Sequence, residues 1–201
     1  MNTKQLLRIC KELGIELIVD DVSIREQTGY YENYNQIEAN NKEWYYSEMN
    51  FEKRPSPEKE KIKKFRYKEE AIKYFFLKTL KKLYFNKIHF PNNPIRNMKT
   101  LEETKKFLDS LGIEEKYYRF TKMRPQSIFA EVLDSKMVVS YIDRQDNKKF
   151  STLPLNFERG IFAIYKLTYS LHLLKVVEKT YIENGVLENQ FDDDDIEIFI
   201  K

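Results

Sequence analysis

A short peptide recurs in the two halves of the chain. The tetrapeptide LGIE at residues 13–16 returns at residues 111–114, each time at the end of an amphipathic pattern. A glycine in that place is typical of a helix C-terminus, because it tolerates the left-handed backbone that closes a helix. Short strand-like runs, a charged or proline-containing link and a long aromatic-rich helix follow each copy. The sequence therefore predicts an α+β fold: a tandem imperfect repeat of helix–β-strands–helix, with antiparallel sheets packed against long helices.

The recurrence also predicts how the chain is divided. We expect residues 1–97 to form a first α-β-α repeat and residues 98–201 a second, together making one compact unit. Residues 52–64 combine charges with two prolines and are expected to be a solvated connector. Residues 190–201 are expected to be an acidic tail that ends in a strand over residues 196–200. The other predicted elements are helices over 3–14, 67–85, 100–112 and 157–184, and strands over 16–22, 36–39, 44–51, 128–133, 137–142 and 149–153.

The composition indicates a cytoplasmic protein with no membrane segment. Charged residues make up 33% of the 201 residues, and the N-terminus has charges among its apolar residues, unlike a signal peptide. The most apolar stretch, residues 161–177, holds two lysines and a histidine and predicts a buried helix rather than a membrane span. The single cysteine, Cys10, excludes an intramolecular disulfide and is expected to be a buried hydrophobe rather than a reactive thiol.

Motifs of known catalytic chemistry are absent from the sequence. His89 lies in a proline-bounded segment, and His172, inside an apolar helix, is expected to be a satisfied core or boundary histidine. With one cysteine, these histidines give no zinc spacing, and no phosphate-binding or dinucleotide-binding glycine motif occurs. We therefore expect no catalytic activity, no cofactor and no metal. A carboxylate-dependent hydrolase using Asp20 and Asp21 is a further alternative, although adjacent strand residues point to opposite faces.

The charges are distributed unevenly along the chain. Residues 53–87 carry thirteen Lys or Arg against four Glu, whereas residues 178–201 carry eight acids against two Lys. A basic face can bind phosphate backbones, so nucleic-acid binding or a regulatory role through residues 53–87 is the alternative function. An acidic cluster can instead cover the basic cleft of a partner protein and accelerate the encounter. Both segments can also be ordinary solvated faces.

Aromatic and acidic residues at predicted loops are candidate contacts for a partner protein. Tyrosines in a polar loop have no evident core role, and tyrosine and tryptophan are enriched in the residues that dominate binding energy at interfaces. For Trp44 on its strand, packing inside the protein is the competing interpretation. The predicted partner-binding residues are Tyr30, Tyr31, Tyr34, Trp44, Asp192, Asp193, Asp194 and Asp195.

The chain resembles the small immunity proteins of bacterial polymorphic toxin systems. The residues that carry the resemblance are KEEAIKYFFLK at 68–78, WYYSE at 44–48 and the acidic run at 192–195. The resemblance implies a cytoplasmic protein that binds a cognate toxin domain tightly and blocks its active site or substrate access without chemistry of its own. Contact residues diverge within such families, so no functional residue is transferred by position.

Overall fold

The chain has an α+β fold, as the sequence predicts. A computed structural model describes residues 1–51 and 57–201. By internal contacts the chain divides into two compact units: Met1–Lys82 with Tyr181–Gln190, and Leu83–Thr180 with Phe191–Lys201. Along the sequence, the described elements run helix, five strands, helix, and then helix, four strands, helix, before a final short helix. The predicted order of helix, strands and helix is therefore confirmed twice, while the division at residue 97 stays a prediction.

The strands of the first unit form one antiparallel sheet. Its strands follow the chain order, so every neighbour pair is joined by a local connection. The β3–β4 hairpin turns at Asn41 and Lys42, which both have positive φ, and such turns match the twist of paired strands. The strands are β1 (Leu17–Val19), β2 (Ser23–Glu26), β3 (Tyr34–Asn40), β4 (Glu43–Asn50) and β5 (Glu58–Phe65).

One face of this sheet packs against helix α2 (Lys68–Ile88). The ring of Tyr46 on β4 lies 4.8 Å from that of Tyr74 on the helix. Ile24 and Ile37, which are opposite each other on β2 and β3, are fully buried on the same face. Helix α1 (Thr3–Glu12) buries Leu6, Ile9 and Cys10. The predicted burial of Cys10 is confirmed, and that burial raises the pKa of its thiol to about 12.

The second unit contains a smaller sheet. Strands β7 (Ser127–Leu133) and β8 (Lys136–Ile142) form a hairpin, whose turn residues Asp134 and Ser135 have positive φ. Strand β9 (Lys148–Ser151) pairs with β8, and β6 (Tyr118–Arg119), which the sequence did not predict, pairs with β7 in parallel. Helices α3 (Leu101–Ser110) and α4 (Phe157–Glu183) precede and follow these strands.

Helices α1 and α3, each of which LGIE follows, begin and end in the same way. Asn2 with Gln5, and Thr100 with Glu103, form reciprocal capping boxes at the N-termini. At the C-termini Gly14 and Gly112 both have a φ of 73°. The following isoleucine N–H donates to the carbonyl five residues earlier in each copy, at 2.8 and 3.1 Å. The recurrence thus specifies the same helix caps twice.

The predicted connector over residues 52–64 is wrong for its second part. Residues 57–64 are described, and β5 occupies most of them, pairing with β4 through a register shift near Tyr46 and Glu48. Residues 52–56 lie outside the described residues. The charged run forms a strand in which lysines of β5 pair with glutamates of β3 and β4, and such pairs between strands are not visible in a local pattern.

The predicted terminal strand is also wrong. Residues 193–200 form helix α5 (Asp193–Ile200), with Asp192 as the N-cap and Asp195 closing a capping box. The alternation of isoleucine with polar residues suggests a strand, but Ile196, Phe199 and Ile200 bury one helical face. Aspartates in the first turn stabilise the positive end of the helix dipole, so the acidic run starts a helix rather than forming a tail.

Helix α4 is long and apolar enough, by length and composition, to cross a membrane. Of its most apolar 18-residue window, 67% is buried inside the structure, as in the core helix of a folded domain. Near its C-terminal end Lys175 and Glu178 form a buried ion pair of 2.9 Å. The other carboxylate oxygen of Glu178 accepts the backbone N–H of Phe191 at 2.6 Å, which fastens the start of the last segment to this helix.

We expect the substitution Lys175→Met to lower the free energy of unfolding by about 3–5 kcal/mol, because it leaves a buried carboxylate without its counter-charge. Urea denaturation followed by circular dichroism measures the change. Lys136→Met is the matched control, since Lys136 is exposed in the same unit and its loss should cost no more than about 0.5 kcal/mol. Equal losses in the two variants would show that the pair has no structural role.

Candidate partner-binding surface

The loop between β2 and β3 presents a cluster of aromatic side chains. Tyr30 is 92% exposed and Tyr31 is 51% exposed. Their rings meet edge to face with centroids 5.1 Å apart, and Phe51, just after β4, lies 6.1 Å from both Tyr31 and Tyr34. The guanidinium of Arg25 on β2 lies 5.8 Å from the ring centroid of Tyr34. We call Tyr30, Tyr31, Tyr34 and Phe51 the tyrosine cluster.

Hydrogen bonds at its base hold the loop that carries the cluster. The ammonium of Lys82 on α2 donates to the carbonyl of Asn33 at 2.7 Å and to the carboxylate of Glu26 at 3.2 Å. The Asn33 side chain accepts the backbone N–H of Phe51 at 2.9 Å. At the tip, the Gly29 N–H donates to the carboxylate of Glu32 at 3.0 Å. The exposed rings therefore stand on a backbone that is held at one end of the loop and at its tip.

The buried carboxylate of Glu26 is the centre of this base. It accepts the backbone N–H of Asn35 at 2.6 Å in addition to the Lys82 ammonium. The Asn35 side chain accepts the hydroxyl of Tyr46 at 2.7 Å, so β2, β3, β4 and α2 are joined in one polar network. Burial raises the pKa of Tyr46, which keeps its hydroxyl protonated as a donor.

A cavity opens beside the tyrosine cluster. Its volume is about 330 Å³, which suits a side chain better than a large ligand. The walls are mixed: aromatic rings and the apolar side chain of Ile18 on β1 face the polar groups of Arg25, Glu26 and Thr28. Such a cavity can take an apolar or aromatic group and offer it hydrogen bonds at the rim.

The structure separates Trp44 from the tyrosines. Tyr34 is opposite Met49, whereas Trp44 is opposite Ala39 near the other end of the same hairpin. At roughly 3.4 Å per residue, these positions are about 17 Å apart. Trp44 is half-buried, and the ammonium of Lys68 lies 4.8 Å from its ring centroid. Of the four predicted aromatic contacts, the structure thus brings three together.

The four predicted aspartate contacts belong to the second unit, where they support helix α5. Asp192 and Asp195 cap the helix through each other's backbone N–H, and Asp195 is buried. Asp193 accepts the hydroxyl of Tyr141 at 2.7 Å, and Asp194 forms an ion pair with Lys149. Their role as partner contacts stays a prediction, although each already has a structural role.

The basic segment 53–87 is partly neutralised within the first unit. On β5, Lys59 pairs with Glu38, Lys61 with Glu48 at 2.6 Å and Lys64 with Glu43 at 2.7 Å. On α2, Lys78 and Lys82 pair with Glu48 and Glu26. Residues 53–56 of this segment lie outside the described residues. Ion pairing lowers the positive potential that phosphate binding requires.

The remaining chemical candidates have ordinary structural surroundings. Asp20 accepts the N–H groups of Val22 and Ser23 in the turn between β1 and β2, and hydrogen bonds from Ser23 and Val22 lower its pKa. Among residues 1–51 and 57–201, no three His, Cys, Asp or Glu side chains are grouped to hold a metal ion. His172 stacks on Tyr169 and burial lowers its pKa.

His172 lies at the boundary of the core, as the sequence predicts, but the expectation that its hydrogen-bonding groups are satisfied is wrong for one atom. Its Nδ1 is buried without a hydrogen-bond partner among the described residues. The His172 ring is half-buried, and its centroid lies 5.8 Å from that of the Tyr117 ring. Aromatic contacts with Tyr117 and Tyr169 therefore help to hold this ring.

Three residues of the site were not predicted from the sequence. Ile18, Arg25 and Phe51 line the cavity; Ile18 and Phe51 lie in predicted strands, whereas Arg25 lies in β2, which the sequence analysis did not predict. The alternation in Ser23-Ile24-Arg25-Glu26 after Asp20-Asp21 is a strand following a turn, and it is the signal that could have revealed β2.

The chain matches no protein-family model, no curated protein and no solved structure.

Substitution of an exposed ring should be nearly neutral for stability. We expect Tyr30→Ala to change the free energy of unfolding by less than about 0.5 kcal/mol, because the side chain is exposed. Tyr46→Phe is the contrasting variant and should cost about 1–3 kcal/mol, since it leaves the buried Asn35 acceptor without its donor. Chemical denaturation compares the two. A loss for Tyr30→Ala as large as for Tyr46→Phe would place Tyr30 in the packing of the fold.

Proposed function

We propose that the protein is a non-catalytic immunity protein, which binds a cognate bacterial toxin domain and neutralises it. The observation that carries the proposal is the tyrosine cluster, with Tyr30 almost fully exposed on an anchored loop. Tyrosine supplies large contact area and a hydroxyl, and burying such rings is a main source of affinity at protein interfaces. The location that goes with this function is the cytoplasm, and neutralisation requires no cofactor.

The anchored base of the loop favours tight binding. Ordering a loop during association costs free energy, and a loop that is already fixed avoids that cost. Lys82 and Asn33 hold one end of this loop, and Glu32 holds its tip. A surface that must block a toxin before it acts benefits from this preorganisation.

The alternative function, nucleic-acid binding through residues 53–87, has weaker support. Three of the four lysines of β5 are ion-paired with Glu38, Glu48 and Glu43, so most of the charge of this strand is already compensated. If the segment nevertheless bound nucleic acid, affinity would fall steeply with salt. Absent or salt-independent binding of single-stranded and duplex DNA and RNA at low ionic strength would remove this alternative.

The proposal predicts a complex with a toxin domain encoded beside the gene for this protein. The probe is the C-terminal domain of the neighbouring large secreted protein, expressed with and without this chain. We expect co-expression to restore growth and the purified proteins to form a stable complex. No complex and no protection would refute the proposed function.

The double variant Tyr30→Ala/Tyr31→Ala tests the surface separately. We expect it to weaken toxin binding about 100-fold, at roughly tenfold for each ring removed. The matched control is Leu153→Ala, an apolar side chain of the second unit that is 83% exposed. If the control weakens binding and the double variant does not, the tyrosine cluster is not the contact, although neutralisation itself would stand.

A further inference from the structure

The first strand of the five-stranded sheet has an unpaired edge. Strand β1 is at the end of the sheet order and pairs with β2 alone. The Gln27 N–H donates to the Glu16 carbonyl and the Asp20 N–H to the Ser23 carbonyl, at 2.9 and 3.0 Å. This register makes Ile18 the residue that is hydrogen-bonded to β2, so the N–H and C=O groups of Leu17 and Val19 point away from the sheet.

These outward backbone groups are available for pairing. Within residues 1–51 and 57–201, no hydrogen bond to the outer side of Leu17 or Val19 occurs. Ile18 and Val19 are each 38% exposed, and Val22 beyond the strand is also exposed. An apolar strand with two outward N–H and two outward C=O groups is a template for the addition of another strand.

The opposite edge of the same sheet is protected. Strand β5 carries a row of lysines, including Lys59, Lys61 and Lys63, and Lys61 has a positive φ where the register shifts. Charged side chains and irregularities of this kind are common protections against strand addition. Strand β1 has neither a lysine nor a proline, so the two edges differ in chemistry.

The open edge lies next to the cavity of the tyrosine cluster. Ile18 forms part of the cavity wall, and Arg25, which is opposite Ile18 on β2, forms another part. Side chains of a strand alternate between faces, so every second residue of a strand added to β1 would lie on the face of Ile18. Backbone pairing at the edge and side-chain capture in the cavity can therefore occur in one ligand.

Acidic side chains flank this edge. Glu16 precedes β1, and Asp20 and Asp21 follow it. All three are exposed, and none forms an ion pair with another described residue. A ligand strand with basic residues on both sides of its apolar centre would complement them.

The same charges disfavour pairing with a second copy of this chain. Two β1 strands related by a two-fold axis at Ile18 would place Glu16 of each copy opposite Asp20 of the other. Hydrogen bonds from Ser23 and Val22 lower the pKa of Asp20, so this carboxylate is charged at neutral pH. Like charges directly opposite each other destabilise strand pairing.

We propose that strand β1 accepts an extended segment of the cognate toxin as an added antiparallel strand, in which an apolar centre is flanked by basic residues. The segment pairs with the outward N–H and C=O groups of Leu17 and Val19 and places an apolar or aromatic side chain in the cavity beside Ile18. This inference rests on the proposed function and specifies how the same surface holds its partner.

The substitution Val19→Pro tests the backbone pairing. It removes an outward N–H and blocks the edge, and it leaves the bonds between Ile18 and Arg25 in place. We expect binding of the toxin domain to weaken at least about tenfold by calorimetry. Val19→Thr is the matched control, since it keeps the N–H and the β-branched shape and should bind within about twofold of the original chain.

Amide hydrogen exchange gives a readout that does not depend on how Val19→Pro folds. In the unsubstituted chain, toxin binding should slow exchange at Leu17 and Val19 and leave Ile18, already bonded to β2, nearly unchanged. Unaltered exchange at Leu17 and Val19 in the complex would overturn the edge proposal. If protection of cells and complex formation persisted in that case, the proposed immunity function would stand.

Synthetic peptides with opposite end charges test whether the ligand strand carries basic flanking residues. Two peptides with the same alternating valine–tyrosine centre carry either lysine or glutamate at both ends. The original chain should prefer the lysine peptide, and Glu16→Lys/Asp21→Lys should reverse the preference. The absence of any preference would overturn the proposal. If the toxin domain fails to bind but this reversal occurs, the edge proposal is supported and the immunity function fails.

Sedimentation of the protein alone tests the competing occupant. We expect a monomer at all concentrations. A concentration-dependent dimer that Val19→Pro abolishes would identify a second copy of the chain as the occupant of the edge and would overturn the proposal.

Discussion

The buried carboxylate of Glu26 makes the contacts on which the first unit and its candidate binding surface depend. It accepts one backbone N–H, from Asn35, and one ammonium, from Lys82. Both contacts are made by the same oxygen, Oε2, and because a buried charge is stable only when it is paired and hydrogen-bonded, the strand, the loop and the helix must keep one arrangement. The second unit has a similar device, in which Glu178 accepts the N–H of Phe191 and the ammonium of Lys175. In both units, a buried glutamate fastens a distant stretch of backbone.

Exposed aromatic rings above a fixed base would let one loop serve both stability and the proposed recognition of a partner. Asn33, Glu32 and Lys82 each bond to a backbone group at the base or tip of the loop, so these bonds constrain the chain that carries the rings. Binding energy can therefore come from the rings without disturbing the fold. The separation of these two tasks is typical of loops that carry function on a rigid scaffold.

The features that the sequence predicts correctly are those that local chemistry decides. The helix ends at Gly14 and Gly112, the long helices and the strands over 36–39, 44–51, 128–133 and 137–142 all follow from residues within a few positions of each other. The predictions of a connector where β5 lies and of a terminal strand where α5 lies were wrong, because contacts with residues distant in the sequence determine these two elements. Lysines of β5 need the glutamates of β3 and β4, and the aspartates before α5 meet Tyr141 and Lys149.

The residues of the candidate site divide in the same way, into those that local sequence reveals and those that only strand pairing brings together. Tyr30, Tyr31 and Tyr34 are conspicuous in the sequence because a polar loop gives them no core to fill. Ile18, Arg25 and Phe51 come from three other segments, and pairing of the strands alone brings them to one cavity. Trp44 is of a residue type common at interfaces, but the pairing of β3 with β4 places it near the other end of the hairpin from Tyr34.

The contrast between the two edges of the sheet has a consequence for stoichiometry. A sheet with two open edges can grow in both directions, whereas the lysines of β5 protect one edge of the described five-stranded sheet and leave its β1 edge for addition. One protein molecule then engages one strand of a ligand and is saturated by it. If strand β1 accepts a ligand strand as proposed, this sheet ends the series of strand additions, and the expected product is a discrete one-to-one complex and not a polymer.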